Sequence, residues 1–151
     1  MSDEKLREWI LKEMIADYSN ALEKNFPLAK EMVKITKEGK VDVFVKDRLV
    51  LRDKVVLYLI GKRYAHTAGL AGSEYVKNAE LMTELGLKEG SLLPTIMELR
   101  NANMLVQGPK EGRVNSQAIA LNVVESELRA INSMVKKSGF PVSDLEQNGG
   151  K

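Results

Sequence analysis

Few of the 151 residues carry side chains suited to difficult chemistry. The chain has one histidine, His66, and no cysteine. One imidazole is too few for a histidine-based metal site, and the absence of thiols excludes disulfides, thiolate zinc sites and cysteine nucleophiles. As a general base, His66 would need a serine nucleophile and a carboxylate, and no nucleophile motif accompanies it. Near the end of a helical pattern, its favourable role is that of a cation facing the helix dipole. Gly69, Gly72, Gly86 and Gly90 lack both the spacing of a phosphate loop and the Lys-Ser/Thr that follows one. Glu80, Glu84 and Glu89 could gather a cation, but on a short exposed helix they read as a solvated face. The expectation is a protein that binds a partner without a cofactor or metal, and not an enzyme.

Charge is the next candidate for function. The net charge of +2 is small, and residues 1–40 carry eight basic and eight acidic side chains, which cancel. Between 46 and 63, Lys46, Arg48, Arg52, Lys54, Lys62 and Arg63 stand against Asp47 and Asp53, a local excess of four positive charges. Such a patch attracts phosphate, although a solvated helix face carries the same signature.

The elements that must position these groups follow from periodicity. With 44% hydrophobic and 29% charged residues, the chain has the composition of a globular domain with a real core. No apolar run approaches the roughly 20 residues that span a bilayer, and the charged N-terminus is unlike a signal peptide. No membrane association and a cytoplasmic location are expected. Leu6, Ile10, Met14, Tyr18 and Leu22, widened by Trp9 and Ile15, predict an amphipathic helix over 3–24. A shorter helix follows to about Lys37, carrying Leu28, Met32, Val33 and Ile35, and Gly39 stops it. Val41, Val43 and Val45 alternate with polar or outward residues, as in a short strand; Leu49 to Leu51 is either its partner or the approach to a helix. Val55, Val56, Leu59, Ile60 and Tyr64 then mark a helix from about Asp53, ended by Gly69, and 69–73 is a small-residue loop.

Residues 76–107 are the most informative stretch. Asn78 suits the N-cap of a helix over 79–85, and Gly86 supplies a left-handed residue at its end. A second helix spans about Ser91 to Asn103 with Leu92, Ile96 and Leu99 inward. Ser91 as N-cap would place Pro94 harmlessly in the first turn; a start at Lys88 would leave Pro94 inside the helix. Met104 to Val106 and Arg113 to Leu121 flank the turn cluster Gly108-Pro109-Lys110-Glu111-Gly112 and read as a hairpin. Asn122 and Glu125 resemble a capping box that opens a last helix with the seam Val124, Leu128, Ile131 and Val135, closed by Gly139. Pro141 to Lys151 reads as a disordered tail.

From Arg52 onward, the order is helix, short loop, helix, tight turn, helix, hairpin, helix. Glu80-Leu81-Met82-Thr83-Glu84-Leu85-Gly86-Leu87, then Ser91-Leu92-Leu93-Pro94-Thr95-Ile96-Met97-Glu98-Leu99-Arg100, then Met104-Leu105-Val106 resemble a winged helix-turn-helix domain over about 52–121. The resemblance implies a mainly α fold with a small β-hairpin (α+β), a positioning helix, a recognition helix and a wing. The domain division it suggests is a helical extension at 1–40, the winged helix-turn-helix with its C-terminal helix at 41–139, and the tail at 140–151.

A helix of this kind fits the major groove, while the wing lies along the backbone. The expected function is therefore binding of double-stranded DNA by a small transcription-regulator-like protein. Lys54, Lys62, Arg63, Lys88, Ser91, Thr95, Arg100, Lys110 and Arg113 are the candidate nucleic-acid contacts. Residues 76–107 carry one net negative charge, so phosphate contacts must come chiefly from the flanking basic groups. The outward positions Leu93, Pro94 and Met97 suggest the alternative, a winged helix that docks a protein partner in an assembly with little base readout. A homodimer held by the stripes of 6–22 and 124–135 is expected, because isolated amphipathic helices need a partner.

Overall fold

The computed structural model describes residues 2–15 and 17–137. Gly139 and the expected tail lie outside the described residues. The architecture is mixed α+β, with seven helices and two small antiparallel sheets among the described residues.

Helix α1 spans Asp3–Glu13 and starts on Ser2, whose Oγ accepts the Lys5 N–H. The helix expected to reach residue 24 stops here. Farther along, the Asp17 carboxylate accepts the Ser19 N–H at 2.9 Å, a local turn that competes with helical hydrogen bonding. Two short helices follow, α2 (Ala21–Lys24) and α3 (Phe26–Ala29, with Pro27 in its first turn).

The helix expected to run to about Lys37 is instead a turn and a strand. Strand β1 (Val33–Ile35) pairs with β2 (Val41–Val43) in the register Val33↔Val43 and Ile35↔Val41. Val33 and Ile35 are β-branched and gain cross-strand partners that a local helical reading cannot supply. The connection turns at Gly39, which has φ +85 and leaves no room for a side chain: a Cβ there would sit 2.0 Å from the Leu70 carbonyl oxygen. The hairpin crosses the boundary expected at residue 40, and Ala29, Met32 and Val33 join the same core as the rest of the chain.

Helix α4 (Leu51–Thr67) is the centre of the molecule, reached through a 3-10 turn at Lys46–Arg48. Val55 to Gly61 are buried without interruption, the mark of a helix covered on all sides. The β1–β2 sheet, β5, α5 and α7 all pack on it.

Strand β3 (Val76–Lys77), helix α5 (Asn78–Leu85), helix α6 (Glu89–Asn101), strand β4 (Leu105–Gln107) and strand β5 (Ser116–Ile119) follow. The sheet order is β3-β5-β4, all antiparallel, so the expected hairpin has a third strand on its other edge. That strand is only two residues long, too short for a period to mark it.

Three capping expectations are overturned. Lys77, not Asn78, is the N-cap of α5, and the Asn78 carboxamide oxygen instead accepts the Gln117 side-chain N–H at 3.0 Å. Helix α6 begins on Lys88, so Ser91 is not its cap and Pro94 lies inside the helix. Pro94 leaves the Gly90 carbonyl without its helical donor, and Gly90 is exposed to solvent. Before the last helix, a 3-10 turn at Leu121–Val123 replaces the capping box, and Glu125 pairs with Lys24 and Arg129. Gly86 has φ +65, as expected.

Helix α7 (Val124–Lys137) buries Val124, Leu128, Ile131 and Val135. Its neighbours are α2, α3 and α4 of the same chain. That stripe is core and cannot also be a dimer seam. The predicted N-terminal stripe differs: Leu6, Trp9, Met14 and Ile15 are exposed, Ile10 is half-buried, and α1 buries no residue. No helix among the described residues is long and apolar enough to cross a membrane.

Candidate nucleic-acid or partner interface

Helix α6 is held by its inward face. Leu92 and Leu99 are fully buried and Ile96 is nearly so, at spacings of four and three. At 100° per residue, this fixes what faces out. Ser91, Thr95 and Glu98 run along one flank, and Leu93, Met97 and Arg100 along the other. Leu93 is 41% and Met97 56% exposed, and Pro94 and Asn101 are exposed between the two flanks. The N-terminal helices do not cover this surface. Thr95 is half-buried, and its hydroxyl turns back to donate to the Ser91 carbonyl at 3.4 Å.

The expected phosphate contacts divide into two groups. Lys62 is taken by Glu80, Nζ to Oε2 at 2.8 Å, with its side chain only 15% exposed. Arg63 donates to the Ile119 main-chain carbonyl through Nε and Nη2. Both act inside the fold, so neither is free to meet phosphate; this corrects their place among the contacts. Arg52, from the same basic run, pairs with Glu127 at 2.8 Å and Asp53 at 3.1 Å. The Glu127 carboxylate chiefly raises its pKa, against the opposing effect of burial.

Lys54 is half-buried on α4, and Lys88 and Arg100 are exposed at the two ends of α6. Lys110 and Arg113 stand exposed in the connection between β4 and β5, and none of these five has an ion-pair partner among the described residues. In the same connection, Glu111 accepts Lys77 at 2.8 Å, and this hydrogen bond lowers the Glu111 pKa. The Glu111↔Val114 bridge shapes the tip, so Lys110 and Arg113 flank a small defined turn.

The Glu80 site was not legible in the sequence. Tyr58 donates to Glu80 Oε2 at 2.5 Å beside Lys62, in a cleft of about 450 Å³ whose walls include Glu38, Lys40, Tyr75 and Glu84. Burial pushes the Tyr58 phenol far above its ordinary range, and the Glu80 carboxylate adds to this. Such a phenol is a hydrogen-bond donor and not a base. Within the cleft, Tyr58 and Lys62 of α4 both hold Glu80 of α5. His66, in the last turn of α4, meets the Ala71 carbonyl through Nδ1 at 3.0 Å and Glu74 through Nε2 at 3.1 Å. It therefore closes the 69–73 loop against its helix.

No group of three or more histidine, cysteine, aspartate or glutamate side chains among the described residues could hold a metal ion. The arrangement offers a solvent-facing helix followed by a basic turn, with an apolar strip on one flank of the helix. No protein-family model matches the chain, and neither a curated protein nor a solved structure shows significant similarity to it.

Proposed function

We propose that α4 through β5 form a winged helix-turn-helix unit and that the protein binds double-stranded DNA as a small transcription-regulator-like factor. The order helix, strand, two helices and hairpin, with the first strand beside the last, supports the fold reading. The observation that carries the functional reading is the hairpin turn after α6, where Lys110 and Arg113 are exposed without a carboxylate partner among the described residues. With Lys88, Arg100 and Lys54, they supply the phosphate contacts, and Ser91 and Asn101 are the polar groups that α6 presents to a groove. Readout of sequence is modest, because Leu93, Pro94 and Met97 occupy much of the outward surface.

Binding to a labelled duplex at low and raised salt tests this reading. Binding weakens steeply with salt, and Lys110→Glu and Arg113→Glu each lower the salt slope by about one. An absence of duplex binding at low salt overturns it.

A second reading is favoured by the exposure of Leu93 and Met97: the same helix docks a protein partner within a nucleoprotein or other assembly. Leu93→Asp and Met97→Asp then abolish partner capture while the fold is kept. Duplex binding unaffected by either substitution, with no partner captured, removes this second reading. The expected homodimer is retained only through the exposed stripe of α1.

A further inference from the structure

An apolar groove of about 280 Å³ lies on the side of the molecule formed by α3, β1 and the end of α4. Its lining includes Phe26, Ala29, Val33, Ile35 and Tyr64, with Lys30 and Lys34 completing it. The Phe26 and Tyr64 rings stand 6.3 Å apart and tilted. Lys30 Nζ lies 5.7 Å from the Phe26 ring centre, and Lys34 Nζ lies 5.8 Å from that of Phe44. Asp42 lies opposite Lys34 in the β1–β2 register, yet neither lysine pairs with a carboxylate among the described residues. An apolar floor with two unpaired ammonium groups suits an occupant that carries apolar and acidic side chains together.

The chain itself contains such a segment. After Lys137 come Ser138-Gly139-Phe140-Pro141-Val142-Ser143-Asp144-Leu145-Glu146. In extended form, Phe140, Val142, Asp144 and Glu146 fall on one face, two apolar residues followed by two acidic ones. Pro141 favours extended backbone both at its own position and at Phe140. The segment leaves α7, which packs against α3, the helix that contributes Phe26 and Ala29 to the groove. At roughly 3.3–3.6 Å per residue, Phe140 reaches roughly 10 Å from Lys137 and Glu146 roughly 30 Å.

We propose that this groove is the docking site of the chain's own segment 138–151. Phe140 and Val142 enter against Phe26 and Tyr64, and Asp144 and Glu146 pair with Lys30 and Lys34. Tethering makes the contact intramolecular, so its effective concentration exceeds that of a free competitor. The proposal does not depend on the nucleic-acid reading.

Nuclear Overhauser measurements on the full chain test it. The expected result is cross-peaks from the Phe140 ring to Phe26 and Tyr64, unchanged on dilution and absent between differently labelled chains. The double variant K30E/K34E loses these cross-peaks, as does D144K/E146K, and the quadruple variant combining them restores the contact. Three results overturn the proposal: no Phe140 contact with the groove; contact only between separate chains, which makes the occupant a second copy; or Trp9 of α1 in the groove instead. Loss in both double variants without restoration in the quadruple variant also overturns the charge pairing.

Discussion

Arg63 holds the main-chain carbonyl of Ile119 with two N–H groups, Nε at 3.0 Å and Nη2 at 2.7 Å. The two residues are 56 positions apart in sequence, and the contact fastens the central helix to the middle strand of the three-stranded sheet. A guanidinium suits the task because two of its donors converge on one acceptor at a fixed angle. Removing it leaves a partly buried carbonyl without its charged partner. Arg63→Ala is expected to destabilise the fold by about 1.5–3 kcal/mol, and Arg63→Lys to recover only part of the loss. Chemical denaturation checks this; a change within about 0.5 kcal/mol would return Arg63 to the set of free surface cations.

Gly61 lies on α4 against the β1–β2 sheet. A Cβ at this position would meet Val41 Cγ1 at 2.5 Å and Val33 Cγ1 at 2.7 Å. Alanine is the better helix former by about 1 kcal/mol, so an exposed site would be stabilised by the change. Here both neighbours are β-branched, stiff and held in a paired sheet, so crowding wins. Gly61→Ala is expected to cost about 1–3 kcal/mol, measured as a lowered denaturation midpoint with an unchanged slope. A rise in the midpoint would show that the sheet yields.

Tyr64 supplies a pH prediction. Its hydroxyl donates to the Leu22 carbonyl at 2.6 Å, and burial pushes its pKa up to about 12 from the ordinary value of 10.0. Because the folded value is the higher one, the contribution is fully present below about pH 10 and is lost as pH rises from 10 towards 12. Tyr64→Phe removes this part of the alkaline dependence at a cost of about 1 kcal/mol at neutral pH. Tyrosinate absorbance checks the assignment. Tyr64→Phe is expected to remove an ionisation near pH 12, and loss of one near pH 10 instead would contradict it.

Trp9 is the only tryptophan and is 48% exposed on α1, so tryptophan emission, excited selectively over the four tyrosines, reports on that helix alone. At low concentration, emission is expected near that of free tryptophan and open to iodide quenching. If α1 pairs with a second chain, emission shifts to the blue as concentration rises, with a matching gain in mass by light scattering. Constant emission at constant monomer mass would remove the homodimer.

Much of the fold was legible because it is written in local spacing. The stripe of Leu92, Ile96 and Leu99 fixes the inner face of α6, and the 3.6-residue period then assigns every outward position. Val124, Leu128, Ile131 and Val135 likewise mark the buried face of α7, and Gly86 marks the left-handed turn. Periodicity cannot name the partner, however. The seam of α7 reads equally well as a dimer contact, and only packing against α2, α3 and α4 settles which surface covers it.

What the tertiary structure alone decided are the non-local pairings. Leu28, Met32 and Ile35 fit a helical period, but β2 offers Val33 and Ile35 a ladder, and the cross-strand gain overrides the local pattern. Lys62 and Arg63 look like free cations in the sequence, because Glu80 and the Ile119 carbonyl lie 18 and 56 residues away. A charge run records which side chains are ionised; the folded chain determines which of them water still reaches. By itself, therefore, the sequence specified the inner faces of α6 and α7 and the left-handed turn at Gly86. Among the candidate contacts, the fold left Lys88, Arg100, Lys110 and Arg113 exposed, since burial and pairing depend on neighbours that no local window contains.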